Sequence, residues 1–194
     1  MSDPPNTHIF NTRPSSSGFG FLIPGIIFLS IALILIAIAR FLPGWASITF
    51  TIVFAAFGLF LLAFGLFTRN IVKTMRYVLT DSMLKLFGGP VHYEIPLDTI
   101  KRAYARDIYT GPSNQVRIAT ATGINTPNLA LSNVTWKDTG MLKMCGTPGR
   151  VTGTEHIVII ETDKDKYGIT PLDESAFLDA LRTKGIATDA PPTP

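Results

Sequence analysis

Two long apolar runs open the chain, and neither carries the period of a half-buried helix or strand. The first extends from Phe19 to Ala39 and the second from Trp45 to Phe67, with no charged residue between Arg13 and Arg40 or between Arg40 and Arg69. At a rise of ~1.5 Å per residue each run covers roughly 30–35 Å, the hydrocarbon thickness of a bilayer. The pattern predicts two transmembrane helices, 19–39 and 45–67. A cleaved leader fits less well, because the first run has a weak basic flank, exceeds a signal h-region and is followed at once by a second span. The connection Arg40-Phe41-Leu42-Pro43-Gly44 carries a Pro-Gly turn signal and leaves room only for a tight antiparallel hairpin.

Small residues recur on both runs. Gly25, Ala32 and Ala39 are spaced by seven, and so are Ala56 with Ala63 and Gly58 with Gly65. Apolar surface gives helices no reason to associate in lipid, so close backbone approach and dispersion must hold them together, and small residues on one face permit that approach. The stripe serves either packing within the hairpin or docking of another protein's helices. On both readings Phe50, Phe54, Phe57, Phe60, Phe64 and Phe67 are expected to cover lipid or a partner.

From Arg76 the period becomes two. Met83, Lys85 and Phe87 alternate with Leu84 and Leu86, then Val91, Tyr93 and Ile95 with His92 and Glu94; Gly88-Gly89-Pro90 between them predicts a hairpin. Further strands are expected over 98–105, 115–121, 140–145, 156–161 and 166–169. Turn signals separate them at Asp81-Ser82, Gly111-Pro112-Ser113-Asn114, Thr122-Gly123 and Gly146-Thr147-Pro148-Gly149. Repeated short strands of this kind predict an antiparallel barrel or sandwich. One helix closes the domain: Thr170-Pro171-Leu172-Asp173 reads as a capping box. Leu172, Ala176, Phe177, Ala180 and Leu181 form its apolar stripe, and Gly185 is the stop.

Composition sharpens the division. Of 194 residues 16% are charged, below the soluble norm of about a quarter, and the first 68 contribute only Asp3, Arg13 and Arg40. A disordered chain and a disulfide scaffold are both excluded. The expected organisation is a flexible tail 1–18, a transmembrane hairpin within 19–68, a membrane-proximal linker 69–75, a β-domain 76–186 and a disordered tail 187–194. Arg13, Arg69, Lys73 and Arg76 flank the spans on the side of both termini, against Arg40 on the other, which places both termini in the cytoplasm. The single cysteine, Cys145, fits a reducing compartment.

If the second helix runs two turns past Phe67, then Arg69, Lys73 and Arg76 share a face that meets anionic head groups. Residues 69–106 hold seven Lys/Arg against three acids, whereas 155–194 hold four against eight. Lys101 and Arg102 join the three as candidate lipid contacts. No basic patch interleaved with aromatics points to nucleic acid.

No catalytic constellation is legible. His8, His92 and His156 have no partners at metal-ligand spacing. Asp163-Lys164-Asp165 lacks the glycine and glutamate of a calcium loop and reads as a charged turn. The glycine-rich 146–154 stretch lacks the Lys-Ser/Thr of a phosphate loop, and Cys145 has no nearby histidine. The expectation is a non-enzyme with no metal and no cofactor.

The stretches RYVLTDSMLKLFGG, YEIPLDTIKRAY, NTPNLALSNVTWKDTGMLKM and IVIIETDKDKYGITPLDESAFLDALR resemble the bacterial pleckstrin-homology-like domains found beside transmembrane helices. The resemblance covers about 76–184 and rests on hydrophobic pattern. It implies an α+β architecture: a two-helix transmembrane hairpin, then a PH-like barrel or sandwich of about seven antiparallel strands capped by one C-terminal helix. It carries over no catalytic residue. It implies a bacterial inner-membrane adaptor, oligomerising scaffold or helper of a larger membrane complex, an energy-converting, respiratory or photosynthetic one among the candidates. Three functions follow as expectations. An accessory subunit docks on a larger integral membrane complex and covers its cytoplasmic face. A sensor contacts anionic lipids or a ligand. A scaffold self-associates through its PH-like domains.

Overall fold

The computed structural model describes residues 7–15, 19–38, 44–107, 117–126, 129–136, 140–147 and 156–189. The expectations at Ala39, in the 40–43 connection, at 111–114 and 148–154 and at both extreme ends fall outside them. The chain divides into two compact units, Ser16–Asn70 and Met1–Ser15 together with Ile71–Pro194.

The first unit is a helical hairpin. Helix α1 (Phe19–Ala37) is uncharged, and α2 (Gly44–Thr74) continues seven residues past the last apolar residue of its run. Both are long and apolar enough to span a membrane. The segment 69–75, expected as a linker, is helical through Thr74, because Arg69-Asn70-Ile71-Val72-Lys73 contains no helix breaker. The helices run antiparallel: Phe21 meets Phe64 edge to face at 4.9 Å, and Phe28 meets Phe57 at 4.8 Å and Phe54 at 5.6 Å. The expected outward role therefore holds for the exposed Phe50, Phe57, Phe60 and Phe67, Phe57 also meeting Phe28, whereas Phe54 and Phe64 pack across the hairpin.

The second unit contains two sheets. One has the order β1-β2-β3-β4, built from His8–Asn11, Arg76–Leu79, Met83–Gly88 and Val91–Pro96, all antiparallel. The other joins β5 (Ile100–Asp107), β6 (Arg117–Thr126), β7 (Leu129–Trp136), β8 (Gly140–Cys145), β9 (His156–Thr162), β10 (Lys166–Ile169) and β11 (Ala187–Asp189), in the order β11-β5-β9-β10-β8-β7-β6. The pairs β10–β8 and β11–β5 are parallel, a departure from the all-antiparallel expectation. The alternation predicted in β3 and β4 is present: Leu84, Leu86 and Ile95 are buried while Lys85, His92 and Glu94 point outward. Strand β9 has no alternation because both its faces are covered. Val158 and Ile160 join the main core, and Ile157 and Ile159 a second cluster with Leu142 and Met144.

Helix α3 (Glu174–Thr183) closes the main core with Phe177, Leu178 and Leu181. Its cap differs from the expected box. Asp173 is the N-cap and accepts from the Ala176 N–H, while Thr170, three residues earlier, is buried and Leu172 is exposed. Thr170 is drawn inward by buried hydrogen-bond partners, which leaves the cap to the next acidic side chain. Gly185 ends the helix at φ 81°.

The tails need correction. Residues 8–11, expected to be flexible, form β1, and 187–189, expected to be disordered, form β11. Neither has a strong local strand signal. Each is ordered by an edge it meets in space, β1 on β2 and β11 on β5.

Candidate interaction surfaces

The stripe of small residues resolves toward internal packing. A Cβ built on Gly25 would stand 2.9 Å from the Leu62 side chain, and one on Gly58 equally close to that of Leu29. Gly25, Ala32, Gly58 and Gly65 are buried, whereas Ala56 and Ala63 face outward. The heptad partners of the second helix thus divide. Gly58 admits the facing helix, Gly65 is buried, and the alanines are exposed.

The five candidate lipid contacts lie on three elements, Arg69 and Lys73 on α2, Arg76 on β2 and Lys101 and Arg102 on β5. Arg69 and Lys73, four apart on α2, are exposed, and the Arg69 guanidinium lies 5.0 Å from the Phe19 ring. Arg76 is not on that helical face, because the helix has ended and β2 begun. It belongs instead to a row across three strands, Arg76 opposite Phe87 opposite His92. The guanidinium sits 5.3 Å from the Phe87 centroid, and His92 stacks on the same ring at 4.5 Å.

Lys101 and Arg102 lie on β5, where acids of the β9–β10 hairpin meet them. Lys101 pairs with Asp163 at 3.1 Å. Its position coincides with a register shift between Ile100 and Arg102, a bulge that lets two neighbouring cations both point outward. Arg102 donates through Nε to Glu161 at 2.6 Å. Glu161 also accepts from the Tyr104 hydroxyl at 3.1 Å and pairs with Lys166 at 2.8 Å. The Arg102 hydrogen bond, followed by those from Lys166 and Tyr104, overrides partial desolvation and lowers the Glu161 carboxyl to about 2. These cations are already engaged by acids of the same unit. No sequence spacing could show that, because strand register brings Arg102 and Glu161 together over 59 positions.

A buried polar cluster lies where β1 enters the domain. The Tyr77 hydroxyl donates to the Cys145 carbonyl at 2.9 Å and accepts from the Thr170 N–H at 3.2 Å, and it lies 3.2 Å from the Thr12 hydroxyl. Thr147 donates its N–H to the Thr170 hydroxyl at 2.7 Å, and its own hydroxyl to the Arg13 carbonyl at 3.0 Å. Arg13 donates to the His156 carbonyl and pairs with Glu174, both at 2.9 Å, the two charged side chains only 10% and 14% exposed. Burial pushes the Tyr77 hydroxyl far above its ordinary value and the Cys145 thiol up to about 12, so both stay protonated at neutral pH. The cluster holds its protons and acts as a structural joint. The sequence showed Arg13 as a span flank, Thr147 as a turn residue and Thr170 as a helix cap, and nothing of Thr12; that the four meet is not legible there, since the signal is burial rather than spacing. Among the described residues no group of three His, Cys, Asp or Glu is placed to hold a metal ion.

Residues 75–185 match the family model described as bacterial PH domain, and the chain belongs to that family. No curated protein and no solved structure matches it. The matched stretch begins at the end of α2 and ends with α3, so β1 and the hairpin lie outside it.

Proposed function

We propose that this bacterial PH domain protein is a non-enzymatic, membrane-anchored accessory subunit that docks on a larger integral membrane complex and covers its cytoplasmic face. The observation that supports this most is the way the hairpin is built into the chain: Met1–Ser15 and Ile71–Pro194 belong to one folded unit, with Ser16–Asn70 inserted between them. Two crossings return the chain to the side it left, in keeping with the excess of Lys and Arg flanking the spans on that side. With Gly25 and Gly58 occupied inside the hairpin, the docking surface in this reading is the outward apolar face, which includes Ile27, Leu59 and Phe60. Affinity purification from native membranes in mild detergent, followed by mass spectrometry, tests it. A stoichiometric set of large membrane subunits is the expected result, and recovery of the protein alone would end the reading.

A second reading, contact with anionic lipid, is favoured by one observation: α2 runs unbroken through Thr74, which puts the exposed Arg69 and Lys73 on one helical face. Each cation near an anionic leaflet contributes about 1 kcal/mol. Arg69→Gln/Lys73→Gln then lowers the share of phosphatidylserine that co-purifies with the full chain from membranes of mixed phosphatidylserine and phosphatidylcholine. An equal share for variant and parent would remove it.

A further inference from the structure

The polar joint and the chain order together point to a device. Residues 8–13 precede the first apolar helix, yet they are tied into the β-unit along both edges. On one side β1 pairs with β2 from His8 opposite Leu79 to Asn11 opposite Arg76. On the other, the Arg13 N–H donates to the Thr170 carbonyl, and Leu172 donates to that of Asn11. Phe10 packs edge to face on Phe177, the largest buried side chain of α3. Arg13 then spans to β9 and α3 through His156 and Glu174.

We infer that residues 8–13 are a strap that closes the β-unit, and that in the membrane-inserted chain closing it requires both apolar helices, not one alone, to cross. The inference rests on reading α1 and α2 as spans. The strap and the rest of its unit are separated in the chain by the whole hairpin. With two crossings they emerge on the same side of the bilayer and the strap seats. With one crossing they are on opposite sides, and it cannot. The unstrapped unit would lose the Arg13 carbonyl that accepts from the Thr147 hydroxyl and the Thr12 hydroxyl beside that of Thr170, hold the Glu174 carboxylate without its guanidinium and leave the edge of β2 unpaired. A correctly inserted chain is thus the one whose cytoplasmic domain is sealed, and a misinserted chain presents an open one.

Cys145, the sole thiol, reports the seal because it is fully buried, with its carbonyl in this joint and its Sγ toward Gly88, so that it labels only when the unit opens. The full chain is placed in vesicles, the vesicles are opened so that both sides are reached, and labelling by a maleimide-polyethylene glycol is timed. Slow labelling of the parent is expected. Arg13→Glu sets a carboxylate against Glu174 and raises the rate by about tenfold or more, since labelling follows local opening. Arg13→Lys, which keeps the cation, stays within about threefold of the parent. Leu33→Arg/Ile34→Arg/Ile36→Arg keeps the first helix out of the bilayer and labels as fast as Arg13→Glu, although it alters nothing in the β-unit. Parent-like labelling of Arg13→Glu, or fast labelling of Arg13→Lys, overturns the strap and leaves the two-span reading intact. Fast labelling of Arg13→Glu with a protected triple-arginine variant overturns the coupling and the two-span reading with it.

Discussion

Gly25 and Gly58 face each other across the hairpin, each backbone carbonyl oxygen within 3.1 Å of where the other residue's Cβ would sit. The helices approach this closely because neither residue has a side chain, and Leu62 packs over Gly25 and Leu29 over Gly58. Gly25→Leu or Gly58→Leu is therefore expected to force the helices apart, at about 1–3 kcal/mol each. Ala56→Leu, on an exposed position of the same helix, should be tolerated. Protease resistance of the hairpin in detergent checks the contrast. Equal resistance of all three would mean that the glycines do not set the spacing.

The Glu161 hub makes stability depend on pH at the acid end. The folded carboxyl titrates at about 2, against an ordinary value of 4.5. A depressed carboxyl contributes stability that is fully present above pH 4.5 and is lost as pH falls toward 2. Discounted for the exposure of Arg102 and Lys166, the contribution is at most about 2–3 kcal/mol. Glu161→Gln should lower the unfolding midpoint at pH 6 and converge with the parent near pH 2. A constant gap between the two curves would rule the hub out as the cause.

Tyr77 carries a buried hydroxyl that serves two backbone groups, the Cys145 carbonyl and the Thr170 N–H. Tyr77→Phe keeps the ring and strands both groups, at about 1–3 kcal/mol. Phe177→Ala removes a fully buried ring from the same core, at about 3–5 kcal/mol. Denaturant titration of the detergent-solubilised chain reads both, and a neutral Tyr77→Phe would show that the joint adds nothing.

Two glycines in the left-handed region separate strain from crowding. Gly185, at φ 81°, has open space around it, so Gly185→Ala should cost about 1–2 kcal/mol from backbone alone. Gly89, at φ 59°, lies against Ile71, whose Cγ1 would be 2.7 Å from an added Cβ. Gly89→Ala must therefore destabilise more than Gly185→Ala. Ile71→Ala should narrow that difference in a double-mutant cycle.

The two apolar runs, the β3–β4 hairpin, β8, β10 and the body of α3 were legible because each depends on its own residues. Length without charge marks a span, alternation marks a strand with one wet face, and an apolar stripe marks a helix on a core. The N-cap was misplaced by three residues for a reason no local pattern contains: the buried hydroxyls of Thr12 and Thr147 lie beside that of Thr170. Likewise Lys101 and Arg102 read as open cations until strand register set Asp163 and Glu161 beside them.

The sequence by itself determined what each segment prefers as its solvent, bilayer or core, because that follows from the hydrophobicity and period of neighbouring residues. Only the tertiary structure decided which distant groups meet. It put His8–Asn11 on the edge of β2, Arg13 against Glu174 and Gly25 against Gly58. Such pairings are set by complementary edges and unsatisfied buried polar groups, which acquire partners only when the whole chain is folded.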